Sequence, residues 1–367
     1  MADIREERLA QLLVRYCVAV KKNDLVMIGG GAEAGSLLKL VQDEVLRAGG
    51  HPRIRVSLDE AGPSFMKLAD QNQLTKVWPD EEFLAKRINC SIGVGTSANT
   101  KSFSNIDPAK QAAAAGARRK LQKIFMDRSA KKELRWTVAL FPTNAYAQDA
   151  EMSREEYAEF VYAACLCDQP NPEAAWKRIA ADLDAKAKKL AKARQITVEG
   201  PGTALRLSVA GRKWIPCDGR YNMPDGEIFT APVEDSLEGK ITFSFPCCYR
   251  GREVEGVTLT FEKGKVTKAA AVKNEAFLLK MLDLDAGARR VGEFAFATNK
   301  GIQKFTRSIL FDEKIGGTIH MALGAAYPES GGKNVSALHW DMICDLRKEG
   351  EVKADGKTIL RKGKLFL

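Results

Sequence analysis

The sequence predicts an α/β N-terminal domain built on an open, mostly parallel sheet, followed by a strand-rich α+β C-terminal domain. Three observations predict it. Up to about residue 195, short apolar runs alternate with helical segments. Beyond that point apolar residues recur at every second position. The chain, at 367 residues, is also longer than one hydrophobic core usually grows, so two domains, 1–194 and 195–367, are expected.

Leu9, Leu12, Leu13, Tyr16, Cys17 and Val20 recur at helical spacing among charges and predict a first helix. Residues 25–28 read as a short buried strand, 29–31 as a glycine turn, and 34–48 as an amphipathic helix stopped by Gly49 and Gly50. Residues 52–56 read as the next strand, completing a strand–helix–strand unit, and apolar runs at 90–94 and 137–141 repeat the theme. Helices follow at 154–167 and 172–194, separated by Gln169-Pro170-Asn171-Pro172. The pattern then changes. Leu205, Leu207 and Val209 alternate with other residues, as do Ile241, Phe243 and Phe245, and 257–261 turns through Lys263-Gly264-Lys265 into 266–272 as a hairpin.

Gly29-Gly30-Gly31-Ala32-Glu33-Ala34-Gly35 sits where a nucleotide fingerprint would sit. Its spacing is loose, Glu33 would bring a negative charge to the phosphates, and no Lys-Ser or Lys-Thr follows the glycines. A tight strand-to-helix turn is the expectation, with no nucleotide cofactor.

The formal net charge of +10 does not by itself name a partner. Much of the excess lies at 109–135 and 177–194, where Lys and Arg recur between alanines as on a solvated helix surface. Aromatic residues are nearly absent from both, which removes the stacking platforms of single-strand binders, so nucleic acid is not an expected partner. No apolar run approaches bilayer length and the first helix is charged throughout, so a cytoplasmic protein without a membrane partner is expected. The eight cysteines are scattered and lack zinc-ribbon spacing, which predicts free thiols.

Chemistry concentrates near the C-terminus. Of three histidines, His51 stands alone at a loop-to-strand junction, whereas His320 and His339 lie among acidic residues in the last fifty positions. His339 and Asp341 flank Trp340 in a strand-like run, so both side chains point to one face and can approach one ion. Glu293 lies inside the apolar run Val291-Gly292-Glu293-Phe294-Ala295-Phe296, where an unpaired carboxylate is costly and a metal would resolve the cost. Glu227 follows a Pro224-Asp225-Gly226 turn, and His320 ends Gly316-Gly317-Thr318-Ile319-His320, with Tyr327 shortly after. Such carboxylate-rich sets with few imidazoles suit two-metal hydrolysis, in which a shared carboxylate bridges ions about 3.5–4 Å apart and the pair acidifies a water.

At these residues the chain resembles the thermophilic-type metalloaminopeptidases of the M29 family. The resemblance rests on Pro-Asp-Gly-Glu-Ile-Phe-Thr-Ala-Pro at 224–232, Gly-Glu-Phe-Ala-Phe at 292–296, Asp-Glu-Lys-Ile-Gly-Gly-Thr-Ile-His at 312–320 and Ser-Ala-Leu-His-Trp-Asp at 336–341. It implies two divalent ions (zinc, cobalt, manganese or magnesium) held by Glu227, Glu293, His320, His339 and Asp341, with Glu293 bridging and Tyr327 beside the metals. It also implies peptide substrates and a homodimer. The mechanism expected of such a site has Glu293 and Tyr327 as its catalytic residues, with Glu293 moving a proton and Tyr327 holding the developing oxyanion. Ring-opening dioxygenases of dihydroxypyridines are similar to this family and hold one iron(II) with a subset of the ligands. A mononuclear site would not require both Glu227 and His320, so their presence favours the peptidase. A non-catalytic scaffold binding a polyanion is the third reading, and the complete ligand set argues against it.

Overall fold

The computed structural model describes residues 3–249 and 251–367. Contacts group them into two compact units, one running up to Ala175 and including Gly219–Pro224, the other comprising Trp176–Asp218 and Asp225–Leu367. The division falls within the helix Pro172–Leu190, and residue 195, where the sequence places the boundary, opens the strand Gln195–Gly200.

The first unit is α/β. Its sheet runs His51–Ser57, Leu25–Gly31, Cys90–Gly95, Arg135–Leu140 and Asn222–Met223, with every neighbouring pair parallel. The helix Gly35–Arg47 buries Leu37, Leu38, Val41 and Val45, one stripe at helical spacing, and links the first two strands. One expectation is corrected here. Gly29, Gly30 and Gly31 do not form a turn; they continue the strand and pair with Arg55, Val56 and Ser57. A Cβ on Gly30 would lie 3.0 Å from both the Leu38 side chain and the Val94 carbonyl, so Gly30 serves close packing. The chain turns through the short helix Ala32–Ala34 instead.

The second unit is strand-rich. An eight-stranded antiparallel sheet includes Gln195–Gly200, Thr203–Ser208, Glu238–Thr242, Thr258–Glu262 and Lys265–Ala270. The anticipated hairpin is present, with Lys263 and Gly264 both at positive φ (47° and 74°), as a two-residue turn between twisted strands requires. A five-stranded antiparallel sheet runs His339–Asp345, Thr318–Gly324, Val291–Ala297, Glu227–Thr230 and Ile215–Cys217. Val198, Leu205, Ile241 and Phe261 of the larger sheet share one apolar core with Ile228, Phe294, Phe296, Met321 and Trp340 of the smaller.

All eight cysteines are free, six of them buried, and His51 is exposed at the start of its strand. No helix among the described residues is long and apolar enough to cross a membrane.

Candidate metal centre

The five-stranded sheet separates its two faces by the period-2 geometry of a strand. Ile228, Phe294, Phe296, Ile319, Met321, Leu323, Trp340 and Met342 point into the apolar core. The intervening residues therefore share the other face: Glu227 on one strand, Glu293 on the next, then His320, then His339 and Asp341. Register aligns them. Asp341 pairs with Ala322, which pairs with Glu293; His320 pairs with Ala295; Glu227 pairs with Ala297. Alanines beside the acidic and imidazole groups keep this face low, leaving room above the sheet where the functional atoms meet.

All five residues named from the sequence come together. His320 Nε2 lies 3.3 Å from Glu293 Oε1 and 3.6 Å from Glu227 Oε2. His339 Nε2 lies 3.7 Å from Glu293 Oε2 and 3.6 Å from Asp341 Oδ2. Two three-residue groups result, Glu227–Glu293–His320 and Glu293–His339–Asp341, each with ligand atoms within 4.8 Å of one another and with Glu293 common to both. Tyr327 joins them, its ring 5.2 Å from that of His339 in a T-shaped contact and 5.4 Å from that of Phe229.

The site fits a metal. Glu227 Oε2 is buried without a hydrogen-bond partner, a costly state that cation coordination relieves. His339 Nδ1 sits 3.0 Å from the Ala325 carbonyl oxygen; donating to it leaves Nε2 free as a ligand atom. His320 Nδ1 has no such partner, so coordination through Nε2 must itself select the tautomer.

With no cation coordinated, protons take up part of the charge. Burial alone would lower the His320 pKa, but the hydrogen bond to Glu293 and the charge of Glu227 outweigh it and raise the group to about 10. Burial pushes Glu293 up, against the pull of His320. His339 is raised as well, its burial outweighed by Asp341 and Glu293. Burial, followed by the surrounding carboxylates, raises the Tyr327 phenol, so it keeps its proton.

Two functional neighbours escaped the sequence reading. Glu313 groups with His320 and Asp341, its ligand atom within 4.8 Å of theirs, and burial lifts its carboxyl to about 7 although Lys314 pulls the other way. Lys314 has no exposed surface, pairs with Glu313, and lies 4.0 Å from Glu227 Oε2. Burial opposes its charge, but Glu227 and Glu313 outweigh it and hold the ammonium well above the ordinary lysine value.

Residues 3–365 match the thermophilic metalloprotease (M29) family. Aminopeptidase T of Thermus thermophilus is 29% identical over 88% of this chain and 85% of its own length. The structure of wild-type AmpT from Thermus thermophilus superposes with a TM-score of 0.87 at 26% identity, covering 99% of each chain. A 2,5-dihydroxypyridine dioxygenase from Pseudomonas putida reaches a TM-score of 0.63 at 15% identity over 100% of this chain and 98% of its own, a likeness of fold alone. With the family match running nearly end to end and the carboxylates and imidazoles gathered on one sheet face, the chain belongs to the thermophilic metalloprotease (M29) family and is a metal-dependent peptide hydrolase.

Proposed function

We propose that this metallopeptidase is an aminopeptidase that releases N-terminal amino acids from peptides, with two divalent ions held by Glu227, Glu293, His320, His339 and Asp341. One observation carries the reading. The two oxygens of Glu293 are aimed at different histidines, Oε1 at His320 and Oε2 at His339, and each histidine brings a further carboxylate, Glu227 or Asp341. A single-ion site would leave one of these groups without a role. The relatives named aminopeptidase support the exopeptidase reading. Mixed imidazole and carboxylate donors suit zinc, cobalt, manganese or magnesium. Free thiols throughout fit a reducing, cytoplasmic setting, and a homodimer follows from the family resemblance.

Bound in these two groups, the ions would supply an acidified water and polarise the scissile carbonyl. The chain's own residues do the rest. Glu293 faces both groups and is placed to take the water's proton and deliver it to the leaving amine. Tyr327, protonated and packed against His339, donates a hydrogen bond to the developing oxyanion. Phe229 and the His339 ring orient the phenol.

The test pairs metal content after mild purification with release of free amino acid from an unblocked peptide and its N-acetylated counterpart. Two ions per chain, with metal-dependent release from the unblocked peptide only, is the expected result. One iron per chain without cleavage would replace the proposal with the dioxygenase.

A further inference from the structure

Among the described residues, Lys314 is the only buried lysine. An ammonium is costly to take out of water, and its surroundings account for its retention. The backbone places it through a tight turn after the helix Ile309–Asp312: Lys314 donates from its N–H to the Phe311 carbonyl at 3.0 Å, and Ile315 to that of Asp312 at 3.3 Å. Gly316 and Gly317 then lead into the strand that carries His320. The side chain is thereby driven under the site, against Glu313 and within 4.0 Å of Glu227 Oε2.

This placement is lopsided. Glu227 belongs to the group that contains His320, whereas among the described residues no lysine or arginine pairs with Glu293, His339 or Asp341. An ammonium 4.0 Å from a ligating carboxylate repels an incoming cation.

We propose that Lys314 makes the two metal subsites unequal: its buried charge beside Glu227 weakens the ion at Glu227 and His320 relative to the ion at His339 and Asp341. The proposal rests on the two-ion reading above. Exchange of the weaker ion is then a property set by the chain, and the Glu293–His339–Asp341 group fills first.

Stepwise titration of metal-free protein with Co²⁺, followed by calorimetry and visible absorption, tests this in wild type and Lys314→Met. Wild type should bind two ions in separated steps. In Lys314→Met the weaker step should tighten about tenfold or more with the stronger step unmoved, because one neighbouring positive charge has gone. A purely structural lysine would leave both steps in place, which overturns the proposal. Should the variant not fold, wild-type crystals soaked with one equivalent of Co²⁺ decide the matter: anomalous density at His339 and Asp341 supports the proposal, and density first at Glu227 and His320 overturns it. Uptake of a single ion by wild type would instead overturn the two-ion reading, and this proposal with it.

Discussion

Lowering the pH should expel the metal from this site, and the structure gives the size of the effect. An ion coordinated through His320 Nε2 needs a neutral imidazole. In the metal-free protein, the hydrogen bond to Glu293 and the charge of Glu227 override burial and raise that imidazole to about 10, so it is protonated across the neutral range. Each ion bound there displaces that proton, and below the raised pKa the apparent affinity falls about tenfold per pH unit. From about pH 8 to about pH 6 the loss is about 100-fold, or roughly 2.7 kcal/mol. Glu313, lifted to about 7 by burial, ionises in the same window and steepens the fall if it assists the ion.

Calorimetric titration with Co²⁺ in buffers of different ionisation heat measures both affinity and proton release. About one proton per ion should be released at the His320 subsite near neutral pH. The metal-free protein should show the opposite slope. A histidine raised on folding contributes stability that is complete below its unfolded value, about 6.5, and is lost as the pH rises towards about 10. Metal-free protein should therefore lose thermal stability above neutrality while metal-loaded protein gains it. Affinity that stays flat between the two pH values, with no protons released, would refute the argument.

Other outcomes follow from the same geometry. Glu293→Gln should abolish turnover while the protein stays folded, checked by circular dichroism alongside peptide release; full activity with metal bound would remove Glu293 from its proton-transfer role. Tyr327→Phe should lower kcat about 100-fold and leave metal content unchanged, since one oxyanion donor is lost and no ligand. Phe296→Ala, on the core face of the same strand, should cost about 3–5 kcal/mol in urea unfolding, because the side chain is fully buried against Trp214 and Phe294. Away from the site, burial would raise Glu253, but hydrogen bonds from Lys273 and Arg307 outweigh it and hold the carboxyl down to about 2. Its contribution is present above the unfolded value and is lost as the pH falls towards about 2. The stability gap between wild type and Glu253→Gln should therefore narrow as the pH drops below about 4, read from urea midpoints.

What the sequence disclosed, it disclosed through expense. Glu293 stood out because a carboxylate among Val291, Phe294 and Phe296 is costly without a partner, and the strand proves buried at all seven positions. His339 and Asp341 stood out because strand period alone puts them on one face. Lys314 and Glu313 gave no such signal. Adjacent opposite charges beside Asp312 look like a solvated turn, and only the tertiary fold buries Lys314 and sets it against Glu313. The glycines at 29–31 misled for a related reason. Glycine marks a turn when the backbone needs positive φ, but here Gly30 and Gly31 mark close approach, which depends on Leu38, Val94 and Thr96 arriving from elsewhere in the chain. The strand Asn222–Met223 was equally hidden, because two residues carry no period and the partner, Arg135–Leu140, is far away in sequence.

The likeness of fold to a dioxygenase shows why the functional argument has to rest on one face of one sheet. The core face, with Phe294, Phe296, Met321 and Trp340, maintains the strands whatever ion or substrate they serve. Substitution at Glu227 or His320 would remove one three-residue group and leave Glu293, His339 and Asp341 as a single-ion set. This chain keeps both groups and adds a buried ammonium on one side only. That ammonium pairs with Glu313 and lies 4.0 Å from Glu227, so any difference between the two groups in how they take up a cation is set on the Glu227 side.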